Sequence, residues 1–310
     1  MRRCLAPFHL NERRGERHTF YPCFAGSQCP VIERKITMLR NTKDLDNFAI
    51  RATDGEIGHI KDLYFDDDAW VVRFFIVETD AWLSSRKVLV SPLSARQPDW
   101  QGKTLPVAIT KLQVENSPNI DTDKPVSRQN EEQYLGYYGY PYYWGGTGLW
   151  GDALYPYSMA PAYDGDGPDW VERQREDEAA LSAERARHRN DDPHLRSCES
   201  VHGYHVSASD GEIGHVSGYL VDEATWAIRY LVVDTSNWWM GHQVLIAPPW
   251  ITGVHWSDKT VSVARSRAAI QASPSYDPKA LMDRKWESSL HRHYGLTGYW
   301  SSAEALEAQH

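Results

Sequence analysis

Cysteine is scarce and badly placed for a disulfide framework. The 310 residues hold four, with Cys4, Cys23 and Cys29 ahead of any patterned segment and Cys198 alone further on. A stapled secreted scaffold would carry its cysteines inside the folded modules, so the chain is read as built for a reducing, cytoplasmic setting. Cys23 and Cys29 lack a second His or Cys pair at zinc-finger spacing, which argues against a structural metal. No run approaches the ~20 apolar residues of a membrane-spanning helix. The opening residues carry Arg2 and Arg3 without the apolar stretch of a secretory signal. Basic charge is short as well: 33 Lys and Arg face 42 Asp and Glu, a net charge of −9. Such a surface repels phosphate backbones, which argues against DNA and disfavours RNA as partners. Phosphate-binding loops, dinucleotide glycine sets, nucleophile elbows and His-Glu-x-x-His are all missing, so nothing in the sequence argues for an enzyme, a cofactor or a metal.

What the chain does have is a second copy of itself. Asp54-Gly55-Glu56-Ile57-Gly58-His59 returns as Asp210-Gly211-Glu212-Ile213-Gly214-His215, an offset of 156 positions. Without a gap, the same offset pairs Trp70 with Trp226, Arg73 with Arg229, Thr79 with Thr235, Trp82 with Trp238, Pro92 with Pro248 and Trp100 with Trp256. It still holds at Tyr138-Gly139/Tyr294-Gly295 and Tyr143-Trp144/Tyr299-Trp300. The chain reads as a tandem duplication, and its length suits two domains. The aromatic balance, 13 Trp and 17 Tyr against 7 Phe, favours rings with a polar handle, as partly exposed packing surfaces use.

Each copy reads as β-structure. Residues 48–52 form a short strand, and Asp54-Gly55 carries the chemistry of a tight hairpin turn. Ile57–Phe65 returns as a second strand, with Gly58 marking a bulge or kink. Trp70–Thr79 is a nearly continuous apolar strand interrupted by Arg73, which predicts cover on both faces. Lys87–Val90 and a hairpin over 94–109 complete the set, and residues 206–265 repeat it. Several strands at regular spacing with no helical pattern between them predict a small closed or half-closed barrel. Each barrel precedes a short helix and an aromatic tail ending in Tyr-Trp, expected to fold back over an apolar end of its barrel.

The predicted division is a disordered extension over 1–37 with translation starting at Met38, a first barrel at 38–120, and a helix with a Tyr/Gly-rich tail at 121–163. A charged linker or helix follows at 164–195, then a second barrel at 196–276 and a helix with an aromatic tail at 277–310.

Leu45, Phe48, Ile50, the Asp54–His59 hexapeptide, Asp66, Trp70, Arg73, Val77, Thr79 and Val88–Pro92 together resemble the PRC-barrel domain. The second copy matches through Tyr204, Val206, Asp210–His215, Asp222, Trp226, Arg229, Val233, Thr235 and Val244–Pro248. The likeness covers roughly 38–120 and 196–276. It implies a mainly β fold of two small PRC-type β-barrels in tandem, with short helices and an aromatic-rich connector. That domain occurs in the H subunit of photosynthetic reaction centres and, in related form, in a ribosome maturation factor. The resemblance therefore implies a non-catalytic binding or assembly module with a protein partner or self-association. Two further readings follow from it: an accessory of a membrane electron-transfer complex, with peripheral membrane association, and an accessory of ribosome or RNA processing.

Among individual residues, Asp54, Gly55, Asp210 and Gly211 are read as structural turns rather than carboxylate sites. Arg73 and Arg229 are read as ion pairs whose carboxylate comes from another strand. His59 and His215 lack companions at ligand spacing and are read as structural or surface residues. Trp82 and Leu83, with Trp238, Trp239 and Met240 in the second copy, are large apolar residues in loops that something must cover. They form the candidate interaction surface, facing the other barrel, a second copy or an outside protein. The Tyr-rich tract of 134–163 contains no Lys or Arg, so it is read as packing against a barrel rather than as a nucleic-acid platform.

Overall fold

A computed structural model describes residues 38–83, 85–118, 126, 128–144, 146–159, 194–235, 242–280 and 282–300. The extension over 1–37, most of the charged linker and the Trp238-Trp239-Met240 loop lie outside the described residues.

The fold is mainly β, built on two mixed sheets with a few short helices. In the first half, β1 (Leu39–Asn41) leads into β2 (Ala49–Ala52), β3 (Gly55–Asp66), β4 (Val71–Thr79), β5 (Lys87–Val90) and β6 (Thr104–Pro106), followed by helices α1 (Lys111–Glu115) and α2 (Arg128–Tyr138). In the second half come β7 (Leu195–Ser197), helix α3 (Cys198–Val201), β8 (His205–Ala208), β9 (Gly211–Asp222), β10 (Ile228–Asp234), β11 (Gln243–Ile246), β12 (Ile251–His255), β13 (Thr260–Val263), α4 (Arg267–Gln271) and α5 (Arg284–His293). The ladders run β5-β4-β3-β2-β6 and β11-β10-β9-β8-β13-β12, with β6 and β13 returning parallel to β2 and β8. Among the described residues neither ladder closes on itself.

Long β3 and β9 bend enough to pair with three strands each, because bulges interrupt their registers. Gly58 (φ +157°) and Gly214 (φ +142°) sit at these kinks, where a Cβ would overlap the carbonyls of Glu78 and Asp234. The tight connection between β2 and β3 is made by Thr53 and Asp54, one position earlier than Asp54-Gly55, and Gly55 opens β3 at φ +144°. Asp54 Oδ1 also accepts the Lys111 N–H (2.8 Å) at the start of α1, and Asp210 Oδ1 does the same for Arg267 (2.7 Å) at α4. These aspartates therefore tie the hairpin to the helix that follows the sheet.

β4 is buried at every position but Glu78, as its apolar run predicts. The halves belong to one compact unit, and they exchange strands. β1 pairs with β9 (Leu39 opposite Asp222), while β7 pairs with β3 (Leu195 opposite Asp66). Each half's leading strand thus completes the other half's sheet. Arg40 bonds Glu223 (3.2 Å) and lies over Trp100; Arg196 bonds Asp67 (2.8 Å) and lies over Trp256. At the centre of the seam, Trp70 and Trp226 both take the left-handed conformation, φ +54° and +59°. The Ile228 N–H donates to the Trp70 carbonyl (2.7 Å) and the Val72 N–H to the Trp226 carbonyl (2.9 Å). This reciprocal bonding holds both tryptophans in a backbone region that bulky residues otherwise avoid.

Candidate functional site

The site grows from one arginine per half. On β4, Arg73 projects into the interior, where only a carboxylate makes a buried guanidinium tolerable. Asp66 at the end of β3 supplies it (Nη2–Oδ2 3.3 Å), and Asp222 serves Arg229 in the same way (3.1 Å). The partner does come from a neighbouring strand. Each aspartate spends its other oxygen on backbone N–H groups of the following turn, Asp68 and Ala69 in one half, Ala224 and Thr225 in the other. Each tail then lays a tyrosine over the guanidinium: Tyr143 at 3.8 Å from Arg73, Tyr299 at 3.9 Å from Arg229.

Beyond that point the halves part. In the first, the tail continues to Trp150, fully buried over Arg73, and the Arg73 Nη1 donates to the Leu149 carbonyl (2.7 Å). The Trp150 indole N–H crosses the seam to the Thr225 carbonyl (2.8 Å). The Tyr-rich tail therefore packs on the sheets, as its lack of cations predicts, but it spans both halves rather than only its own. Tyr134, on α2, donates to the Leu89 carbonyl (2.6 Å) and completes this cover.

In the second half the space beside Arg229 is a groove of about 740 Å³, within the range of ligand sites. Its walls come from Trp70, Pro248, Pro249, Trp250 and Leu296, and Arg229, Arg265 and His291 line it too. Beneath it lies a buried polar array. The Tyr230 hydroxyl stands 2.9 Å from His291 Nε2 and 3.1 Å from Glu287 Oε1. Glu287 also accepts from Tyr299 (2.9 Å) and pairs with Arg284 (3.0 Å), while His291 Nδ1 faces the Thr297 carbonyl (3.1 Å). Burial lowers the His291 pKa and raises that of Glu287. A neutral imidazole that donates from Nδ1 to Thr297 accepts at Nε2 from Tyr230, whose single hydroxyl proton then serves His291 in place of Glu287. In the first half the positions of Tyr230 and His291 are Phe74 and Leu135, both buried, while the buried Glu131 carboxylate meets the His194 imidazole across the seam.

Of the candidate surface, Trp82 and Leu83 lie away from the groove, and Trp238, Trp239 and Met240 lie outside the described residues. Trp82 is half-buried on its own half, its indole N–H donating to the Ile57 carbonyl (2.7 Å) with the Lys111 ammonium 4.2 Å above the ring. Leu83 packs beside it, half-buried. The seam between the halves runs through Trp70 and Trp226 instead. His59 sits at the surface between Glu56 and Asp80, 3.8 Å from each. Sequence reasoning passed over Trp250, Arg265, His291 and the Trp150 plug. A signal for His291 was present: it is a polar residue aligned with Leu135 inside an otherwise matched pair of tails.

Among the described residues no helix is long and apolar enough to cross a membrane. No family model matches the chain, and no curated protein matches it.

Proposed function

We propose that the chain is a non-catalytic binding and assembly module made of two PRC-type β-barrels that act as one body and take a protein partner. The observation that carries this reading is the aromatic- and proline-walled groove over Arg229, a concave apolar surface with a few fixed polar groups. Most of the polar groups beneath it are committed to each other: Arg229 through Nη2 to Asp222, Tyr299 to Glu287, and His291 to Tyr230 and Thr297. Such an array suits holding a surface in shape. The barrel reading is supported by the long bulged β3 and β9, which bend where Gly58 and Gly214 were expected to kink them.

The test is affinity purification at native expression level, with and without nuclease, comparing wild type with Ala264→Trp, which fills the groove from an exposed position on its wall, and with Trp82→Ala. A protein that survives nuclease and is lost with either variant supports the module and locates its surface. Partners lost on nuclease treatment would transfer the protein to the RNA-associated class, and recovery only with membranes to the electron-transfer class.

A further inference from the structure

We propose that the groove over Arg229 binds a glycine-rich turn of a peptide segment through a tryptophan side chain, in the manner in which the first half holds its own Leu149-Trp150. This rests on the reading of the chain as a binding module and specifies what it binds.

Three groups hold the Leu149-Trp150 segment in the first half: the Arg73 Nη1, which donates to the Leu149 carbonyl; the Tyr143 ring, against Trp150; and the Thr225 carbonyl, which accepts from the indole. Their counterparts at the common offset are Arg229, Tyr299 and Ala69, and all three line the groove. Among the described residues Arg229 makes its hydrogen bonds through Nη2 alone, to Asp222 and Thr225. Its Nη1 therefore remains for a carbonyl, the role that Nη1 plays in Arg73. Trp250, Pro248 and Leu296 add apolar walls of the kind that buries an indole.

The residues at the common offset from the plug lack what it requires. The turn that presents Trp150 depends on Gly151 at φ +62° and on Gly146 and Gly148, where a Cβ would overlap the backbone of Gly151 and Ala153. At the same offset the sequence has Ser302, Glu304 and Glu307, and Leu306 in place of Trp150. The aromatic occupant is thus sought on another molecule.

The probe is a fluorescein-labelled octapeptide copying residues 146–153, Gly-Thr-Gly-Leu-Trp-Gly-Asp-Ala, titrated by anisotropy against the full-length protein. The expected result is saturable one-to-one binding with Kd of roughly tens of micromolar. Replacing the peptide tryptophan by alanine should weaken it by about tenfold or more. Binding should be lost in Ala264→Trp and weakened in Arg229→Lys, which keeps the charge facing Asp222 but removes the second donor group; unchanged thermal melts would show that both variants are folded. No anisotropy change up to about 1 mM, equal affinity for the alanine peptide, or full binding by Ala264→Trp would each overturn the proposal. So would binding that appears only in Leu306→Asp, which would make the chain's own end the occupant. Should the peptide fail while Ala264→Trp still captures a partner from cells, the module reading stands and the groove's peptide role falls.

Discussion

In the first half Arg73 lies beneath Tyr143 and Trp150; in the second, Arg229 lies beneath Tyr299 with a groove of about 740 Å³ beside it. The residues facing the two tails differ in the same sense. Phe74 and Leu135 present apolar surface under the plugged site, and Tyr230 and His291 present a hydrogen-bonded pair under the open one. The backbone, the Asp–Arg pair and the capping tyrosine are shared, so they belong to the fold. What differs is the occupant and the polarity beneath it. One copy closes its site with its own chain; in the other, the described residues leave a groove at the corresponding place.

The largest expected effect separates plug from wall. Trp150→Ala should cost about 3–5 kcal/mol in urea denaturation, since a fully buried indole and its bond to Thr225 are both lost. Ala264→Trp, at an exposed position, should stay within about 1 kcal/mol of wild type. If Trp150→Ala costs under about 1 kcal/mol, the first half does not depend on its plug and the comparison fails.

The next effect tests what the halves have in common. Gly58→Ala and Gly214→Ala should each cost about 3 kcal/mol or more, because positive φ and overlap with a neighbouring carbonyl act together. Gly55→Ala should cost only about 1 kcal/mol, since its added Cβ would meet nothing closer than the Lys111 side chain at 3.5 Å. The two kinks should respond alike; a large difference would mean that one sheet does not bend as the other does.

The smallest effect concerns pH. Burial holds His291 below its ordinary value of 6.5. The unfolded chain therefore takes up a proton first as pH falls through 6.5, and the fold loses stability from there down to the depressed folded value. Glu287 acts in the opposite sense: raised by burial above 4.5, it gives stability that is present below 4.5 and lost as pH rises through its folded value. Tyr230, Tyr299, Arg284, Arg229 and Asp222 are further charged and titratable groups around the array. His291→Leu, which copies Leu135, should flatten the stability profile between pH 7 and 5 by a fraction of about 1.4 kcal/mol per pH unit. An unchanged slope would show that His291 does not titrate with folding.

The sequence made the strands, the kink at Gly58 and the need for a carboxylate beside Arg73 from another strand legible, because each has a local signature: an apolar run, a glycine within a strand, a charge in that run; it did not single out Asp66. It did not reveal the strand exchange. β1 and β7 are three residues each, too short to show a period, and their partners lie in the opposite half. Leu39-Arg40 and Leu195-Arg196 do match at the common offset, which marked them as shared without saying where they go. The groove was hidden for a similar reason. Its walls come from β10, the Pro248–Trp250 turn, the last tail and Asp68–Trp70 of the other half, segments that only the assembled seam brings together.

The exchanged strands also set a timetable. On the ribosome, Leu39–Asn41 emerges long before β9, and the Arg40–Glu223 bond spans 183 residues; β3 waits for Arg196, 129 residues beyond Asp67. At about 5–20 residues per second, the first sheet lacks β7 for roughly 6 to 26 seconds and β1 lacks β9 for roughly 9 to 37 seconds of synthesis. Through that interval the nascent first half exposes a strand edge able to pair with a neighbouring chain. The stretch between the halves is thus a clock as well as a tether: its length decides how long that edge remains open.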